Sequence, residues 1–235
     1  MPVLPELVAG EHPCPYLPGL RADTRFIDPK CRLSEGFYRQ LLMQGYRRSG
    51  KWLYRPACPN CQLCIPVRVV VADFSLKRRH RRCIQANAGL EVSLRAPDFD
   101  AEHFQLYQRY QQARHAEEGS INVNAADYMG FLTGDWSDTL FAEFRDAGQL
   151  VAVAVIDQVA NALSSVYTFY APEYHTASLG RYAVLWTLHR ARRLRLDWVY
   201  LGYWIEPCRK MRYKIDYQPL QYFYRQAWHD QAPET

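Results

Sequence analysis

Three regularly spaced cysteines are the first residues of this sequence that could do chemistry. Cys58, Cys61 and Cys64 form a C-x-x-C-x-x-C pattern, which can place three thiolates around one metal ion. Cys14 could supply a fourth ligand and complete a tetrahedral zinc site or an iron–sulfur cluster. A bacterial ferredoxin motif is excluded, because Arg68 stands where its fourth cysteine would be. The alternative, small buried thiols in a reduced protein, stays open for these four cysteines.

The cysteine count and the apolar segments indicate a reducing compartment. The chain has 7 cysteines, an odd number, and we interpret Cys31, Cys83 and Cys208 as buried thiols. The longest apolar run, residues 150–156, is far shorter than the roughly 20 residues that cross a bilayer. Residues 1–10 carry no cation before their apolar positions, unlike a signal peptide. We therefore expect a cytoplasmic protein with no membrane partner.

Clusters of basic residues suggest a polyanionic partner. The net charge of +5 is modest, but cations gather around residues 47–51, along the run 77–82 and over residues 190–195. Such clusters fit a strongly negative ligand. The alternative for any single run is the solvated face of a helix, and this is our interpretation of residues 190–195.

The elements that position these residues can be read from periodicity and capping. In the first part, Ser34 is predicted to cap a helix over residues 34–44, and a second helix is predicted over 75–89. Alternating valines predict a strand over 67–71 between them. A change in composition near Pro97 separates an N-terminal Cys/Arg-rich domain, residues 1–96, from a C-terminal domain, residues 97–235.

The second part alternates strands and helices. A helix is predicted over residues 100–118 from apolar residues at helical spacing. The further predicted elements are strands 140–144, 150–156 and 163–170, a helix 178–194, a strand 198–204, a helical turn 209–213 and a strand 221–224. The order is an antiparallel meander followed by a helix that returns to another strand.

Several motifs match one protein family in order and spacing. The matching segments are His12 to Leu17, Gly45 to Gly50, Tyr54 to Val69, Tyr167 to Tyr170, Ser178 to Gly180, Tyr200 to Ile205 and Met211 to Lys214. Through them nearly the whole chain resembles the aminoacyl-tRNA–protein transferases, in particular the bacterial aspartate/glutamate leucyltransferases. The resemblance implies an α+β fold with an N-acetyltransferase-like (GNAT-like) mixed-sheet core behind the N-terminal domain.

The resemblance also implies an activity and its partners. The chain is expected to move leucine from leucyl-tRNA to the N-terminal Asp or Glu of proteins and so to mark them for degradation by the N-end rule. Arginyl-tRNA as the donor is one alternative, and a non-catalytic RNA-binding module that uses the basic helix is another. No cofactor is expected for the transfer itself. Related eukaryotic transferases carry cysteine pairs in two places and so suggest a structural zinc or iron–sulfur cluster as an alternative. Leu17 replaces one of those cysteines here, which argues against the metal.

Acetyl transfer is disfavoured by the loop before the second long helix. A coenzyme A enzyme of this fold would carry a glycine-rich turn there, whose backbone N–H groups bind the diphosphate. Residues 171–180 contain one glycine, Gly180, and the acidic Glu173. That loop would bind a diphosphate poorly.

Candidate site residues follow from the resemblance and from side-chain chemistry. The candidates for substrate binding are Arg47, Arg48, Ser49, Gly50, Tyr54, Tyr170, Gly180, Arg181, Tyr203 and Lys214. The candidates for tRNA binding are Lys77, Arg78, Arg79, Arg81 and Arg82, and the candidate base is Glu206. Arginine and lysine suit the carboxylate of an acceptor Asp or Glu, and a tyrosine can stack on unpaired bases at the end of tRNA.

Overall fold

A small antiparallel sheet is built by the N-terminal residues. The structure, a computed structural model, describes residues 5–115 and 123–234. In chain order the first elements are β1 (Glu6–Val8), β2 (His12–Pro13), β3 (Arg21–Ala22), β4 (Thr24–Ile27), α1 (Glu35–Met43), β5 (Arg47–Ser49) and β6 (Trp52–Pro56). Four of the strands form one sheet in the order β1-β4-β6-β5, and β2 pairs with β3.

Helix α1 confirms the helix predicted over residues 34–44. Ser34 is its N-cap, and the Oγ of Ser34 accepts a hydrogen bond from the backbone N–H of Phe37. The buried face consists of Tyr38, Leu41 and Leu42, at the spacing of one helical face. The chain then turns sharply at Gly45, whose φ of +81° is easily adopted only by glycine.

A large mixed sheet forms the centre of the molecule. Its strands are β7 (Ile65–Val70), β8 (Glu91–Arg95), β9 (Asp138–Asp146), β10 (Gln149–Val159), β11 (Ala162–Tyr170), β12 (Trp198–Trp204), β13 (Leu220–Tyr224) and β14 (Ala227–His229). They lie in the order β14-β13-β7-β12-β11-β10-β9-β8. Every neighbouring pair is antiparallel except β11 and β12, which are parallel. The predicted α+β class with a mixed sheet is confirmed.

Helices cover both faces of this sheet. They are α2 (Arg78–Ala86), α3 (Ala101–His115), α4 (Ala125–Leu132), α5 (Leu179–Arg193) and α6 (Arg209–Arg212), with 3₁₀ segments at Pro172–Ala177 and Tyr213–Asp216. The side chains of strand β10 alternate between the two faces. Ala154 and Ile156 belong to the hydrophobic cluster that includes α5, whereas Val153 and Val155 belong to the cluster that includes α3 and α4. Within the described ranges, no helix is long and apolar enough to span a bilayer.

The predicted elements of the second part are all present. Helix α3 begins at Ala101 as expected, and residues 116–118 of its predicted range lie outside the described residues. Helix α2 is shorter than predicted, because Lys77 is extended and Asn87 leaves the helical region. The short strands of the N-terminal sheet, β8, α4 and β14 were not predicted.

The first and second parts of the chain share the central sheet. Strand β7 lies between β12 and β13, and β8 forms one edge next to β9. The division into domains 1–96 and 97–235 stays a prediction, and the structure shows that residues on both sides of it complete one sheet.

Strands β11 and β12 form a fork. They pair only at Ala162 with Trp198, Leu163 with Val199 and Ser164 with Tyr200. Beyond Ser164 and Tyr200 no further pairing joins these two strands, although both continue and both are described to their ends. The opening between them can admit side chains and a ligand.

Candidate active-site cavity

A cavity of about 580 Å³ occupies the fork, a volume typical of small-molecule sites. Its walls come from β5, β6, β11, the start of α5, β12 and α6. The candidate substrate-binding residues that line it are Arg47, Arg48, Ser49, Tyr54, Tyr170, Gly180, Arg181, Tyr203 and Lys214. The structure therefore brings together side chains that are far apart in the sequence.

Arg47 lies inside the fork. Its Nη1 donates to the Oγ of Ser164 at 3.3 Å, and its Nη2 donates to the carbonyl oxygen of Ser165 at 2.6 Å. On the other strand, Gly202 has a φ of +80°, and a Cβ at this position would lie 2.9 Å from the Cζ of Arg47. The positive φ favours glycine at this position, and the absence of a side chain leaves space for the guanidinium of Arg47. An isolated glycine within an apolar strand was the sequence signal of this close approach, and it went unused in the sequence analysis.

Lys214 is a second cation in the cavity wall, and it is only 5% exposed. Its Nζ donates to the carbonyl oxygen of Tyr203 and lies 3.2 Å from the Sδ of Met211. Burial, together with the charge of Arg47, lowers the pKa of Lys214 to about 7. Among the described residues, no carboxylate forms an ion pair with Lys214 or Arg47. Lys214 is buried and Arg47 is half-buried, and neither has a counter-charge among the described residues, so this wall can receive an anion.

Arg48, a predicted substrate ligand, is held by the protein itself. Its Nε and Nη2 donate to the carboxylate of Asp157 at 2.5 and 2.6 Å, and Nη2 also donates to the Oγ1 of Thr139 at 3.1 Å. The hydroxyl of Tyr38 donates to the same carboxylate at 2.7 Å. The side chains of Arg48 and Asp157 are 1% and 0% exposed. This network ties β5 to β10, so its main role is structural.

Gly50 is also structural. Gly50 does not line the cavity. Its φ is +56°, and its backbone N–H donates to the carbonyl oxygen of Phe131 at 2.7 Å. A Cβ at this position would lie 1.9 Å from the carbonyl oxygen of Gly130. The turn between β5 and β6 is therefore pressed against α4, which leaves no space for any side chain.

Glu206 is exposed in the turn after β12 and is absent from the residues lining the cavity. Its carboxylate lies away from Arg47 and Lys214, so we propose no role for it in proton transfer. The strand-end position that suggested Glu206 from the sequence does not determine which way the following turn leads.

The remaining walls of the cavity are aromatic. Tyr110, Phe131, Tyr167 and Tyr170 form one side, with ring centroids 5.0 Å apart in the Phe131–Tyr167 and Tyr110–Tyr170 pairs. Burial raises the pKa of Tyr167 and Tyr110, so both hydroxyls stay protonated at neutral pH. This side of the cavity suits an apolar group.

Basic residues surround the mouth of the cavity and continue onto α2. Arg181 at the rim pairs with Asp216 at 3.0 Å, and Asp216 also accepts from Arg79 of α2 at 2.6 Å. Arg209 and Lys210 are exposed at the same rim. The candidate tRNA-binding residues Lys77, Arg78, Arg79, Arg81 and Arg82 are all exposed on or next to α2. The basic helix and the cavity therefore share one surface.

The four candidate metal ligands line a neighbouring cavity of about 590 Å³. Burial, and then the nearby thiols of Cys61, Cys14 and Cys58, raise the pKa of Cys64 to about 12, so this thiol is neutral at neutral pH when no metal is bound. Within the part of the chain that the structure describes, no three His, Cys, Asp or Glu side chains form a group that could hold a metal ion. As placed, these residues do not fit a metal site.

Comparison with known proteins shows which proteins this chain is similar to. The chain matches the family models described as arginine-tRNA-protein transferase, N terminus, over residues 12–82, and C terminus, over residues 102–224. It is 50% identical over 226 residues to the aspartate/glutamate leucyltransferase of Alkalilimnicola ehrlichii, covering 96% of this chain and 95% of the relative. It is 46% identical over 217 residues to the protein of the same name from Pseudomonas aeruginosa strain LESB58, covering 92% of each.

A solved structure of similar shape is that of L-PGS from Bacillus licheniformis. The identity is 14% and the TM-score 0.43, covering 61% of this chain and 46% of that one.

Proposed function

The chain belongs to the arginine-tRNA-protein transferase family, and on that premise we propose that it transfers leucine from leucyl-tRNA to proteins beginning with Asp or Glu. The observation that carries the proposal is the cavity in the fork, which joins an aromatic side to the buried Lys214 and the half-buried Arg47, neither of which has a counter-charge among the described residues. The aromatic side suits the leucyl group of the donor, and the cations suit the carboxylate of the acceptor.

Leucine, rather than arginine, is the donor amino acid that the cavity favours. The described residues that line it include no Asp and no Glu. An arginyl side chain would therefore bring another cation next to Arg47 and Lys214 with nothing to balance it. A leucyl side chain instead gains from burial against Tyr110, Phe131 and Tyr167, by about 25 cal/mol for each Å² of apolar surface.

The carboxylate of the acceptor is proposed to bind Arg47 and Lys214. A carboxylate accepts charge-assisted hydrogen bonds from both groups, and its charge offsets the burial and the repulsion by Arg47 that lower the pKa of Lys214. An acceptor beginning with Asn or Gln has the same shape but supplies no charge. The charge difference is thus the basis of acceptor selection.

Transfer is proposed to proceed by direct aminolysis. The neutral α-amine of the acceptor attacks the ester carbonyl, the C–N bond forms and the bond to the terminal ribose oxygen breaks. The amine nitrogen loses one proton, and the ribose oxygen gains one, so the products are an amide and a free hydroxyl. An α-amine has a pKa of about 7.7 to 8.0, so part of it is already neutral at working pH. The protein contributes chiefly by holding amine and ester together in the fork.

The polyanionic partner is proposed to lie on α2. Its exposed cations, together with Arg209 and Lys210 at the rim, can contact phosphates of the tRNA. Marking proteins for degradation in the cytoplasm follows as part of the same proposal. A metal at Cys14, Cys58, Cys61 and Cys64 stays a prediction: zinc or iron bound to protein purified without oxygen would support it, and metal-free protein would reject it.

The function is tested with purified protein and defined substrates. We expect label from leucyl-tRNA, and not from arginyl-tRNA, to appear on a peptide beginning with Asp or Glu. Matched peptides beginning with Asn or Lys should stay unlabelled. Transfer from arginyl-tRNA at a comparable rate would contradict the donor assignment, and transfer to the Asn peptide would contradict the role of charge.

The mechanism has its own test. When enzyme and labelled leucyl-tRNA are mixed without acceptor and denatured rapidly, direct aminolysis leaves no label on the protein. Stoichiometric label that passes to peptide on adding acceptor would require a covalent intermediate instead.

A further inference from the structure

The outer face of the N-terminal sheet carries a row of apolar and aromatic side chains. In an antiparallel sheet, residues directly opposite each other point to the same face. The register places Leu7 opposite Phe26, Phe26 opposite Tyr54, and Tyr54 opposite Arg47. This row crosses all four strands and ends at Arg47 in the fork.

A second aromatic residue of β6 belongs to the same face. Trp52 is two positions from Tyr54 and opposite Ser49, which lines the cavity. The ring centroid of Phe26 lies 5.7 Å from that of Trp52 and 6.1 Å from that of Tyr54. We call Phe26, Trp52 and Tyr54 the aromatic face.

The aromatic face lies opposite the face of the sheet that packs on α1. The reverse face of the sheet carries Ile27 and Leu53, which are buried in the cluster of α1. Trp52, by contrast, is 40% exposed, and Leu7 at the end of the row is 47% exposed. Tyr54 packs on the cluster of Tyr203 and Ile205, and Phe26 is half-buried. The hydrophobic core does not account for the exposed ring of Trp52.

The charge of this face is positive. On it the four strands carry Arg47 and no acidic residue, and the exposed Lys51 follows in the turn between β5 and β6. Neighbouring aromatic rings flanked by cations are the surface that binds single-stranded nucleic acid, since every base presents a flat π-face for stacking.

We propose that the aromatic face stacks the unpaired nucleotides at the 3′ end of the aminoacyl-tRNA. The proposal rests on the proposed function, and its support is continuity: Arg47, Ser49 and Tyr54 belong both to this face of the sheet and to the lining of the cavity. Nucleotides stacked on Trp52 and Phe26 lead the aminoacyl ester past Tyr54 into the fork. An acceptor polypeptide is the less suitable occupant, because its residues after the first vary whereas a base of any identity can stack.

The test is a binding cycle, in which the affinities of two proteins for two RNAs are measured and compared. The RNAs are uncharged leucine tRNA, either intact or lacking its unpaired 3′ nucleotides, and the proteins are the wild type and Trp52→Ala. We expect Trp52→Ala to weaken binding of the intact tRNA by about 5- to 100-fold and to leave binding of the shortened tRNA unchanged. Phe26→Ala should behave in the same way, and Trp52→Phe should restore binding.

Phe99→Ala is the matched control, because Phe99 is an aromatic residue that is 51% exposed and lies outside this sheet. It should bind both RNAs like the wild type. Equal losses for both RNAs, no loss for either, or a higher KM for the acceptor peptide alone would each overturn the proposal. The cycle measures binding without transfer, so a failure of the proposed function would appear in the transfer assay of the wild type and not here.

Discussion

Replacing the buried ion pair between Arg48 and Asp157 separates a structural role from a role in substrate binding. Both side chains are almost completely buried, and they are joined by two charge-assisted hydrogen bonds of 2.5 and 2.6 Å. Arg48→Met leaves a buried carboxylate with two hydroxyl donors, and Asp157→Asn leaves a buried guanidinium without a counter-charge. Each single change should cost roughly 3–5 kcal/mol of the free energy of unfolding.

That cost is a large part of the stability of a typical domain, which is about 5–15 kcal/mol. For a chain of this length it corresponds to a fall in melting temperature of about 6–20 °C. The double variant Arg48→Met, Asp157→Asn removes both charges while Asn keeps an acceptor for Tyr38 or Thr139. We expect it to lose less stability than the sum of the two single variants, by about 0.5–3 kcal/mol, as measured by urea unfolding.

Transfer activity then decides the role of Arg48. One nitrogen of its guanidinium, Nη1, has no hydrogen-bond partner among the described residues, and Arg48 also lines the cavity. If its role is to hold β5 against β10, the double variant should keep leucine transfer at a temperature where it is folded. A double variant that is folded but has lost binding of tRNA or acceptor would refute this reasoning and assign Nη1 to the substrate.

Four further predictions follow from the geometry of the site. Deprotonation of Lys214 as the pH rises through about 7 should raise the KM of a peptide beginning with Asp but not of one beginning with Asn, and Lys214→Met should abolish this pH dependence. In the unfolded chain the amine of Lys214 keeps its proton up to its ordinary pKa of about 10.5. The free energy of unfolding without substrate should therefore rise with pH between about 7 and 10.5, and in Lys214→Met this rise should be lost. Gly50→Ala should lower the free energy of unfolding by more than about 1 kcal/mol, whereas Gly89→Ala, with open space around it, should not; equal effects in urea unfolding would contradict the close approach to α4. Changing the exposed cations of α2 other than Arg79 to Gln should weaken tRNA binding. The slope of log affinity against log salt concentration should fall by about 0.9 for each phosphate that is no longer neutralised. Arg193→Gln on α5 is the control, and an unchanged slope would place the tRNA elsewhere.

Much of the central sheet could be predicted because its strands are continuous and apolar. Strand β12 begins and ends as expected at Trp198 and Trp204, and the turn at Ala147 and Gly148 ends β9 within two residues of its predicted position. The N-terminal sheet escaped prediction, since its strands are three to five residues long and the pairings β1–β4 and β4–β6 join residues that are distant in the sequence. Periodicity over so few residues carries little information.

The sequence predicted many of the residues that line the cavity but not what each of them does there. The resemblance pointed to Arg47 and Arg48 together, yet adjacent residues of a strand point to opposite faces, so one enters the fork and the other meets Asp157. A charge at Asp157 within an apolar strand was a signal that a buried partner had to exist. Which arginine it would be depends on register, and register is set by contacts across the whole chain.

The position of β7 constrains how the protein can be made. Val69 pairs with Val199 on one side and with Leu220 on the other, so this strand is surrounded by chain that leaves the ribosome much later. Pairing over such separations must overcome a large loop entropy, which slows folding. Until β12 and β13 are synthesised, the valine-rich segment has no sheet to join and its apolar side chains stay open to aggregation. We expect that a ribosome stalled before residue 198 carries a chain whose first part is digested by protease, and that protection appears only after β13 has emerged.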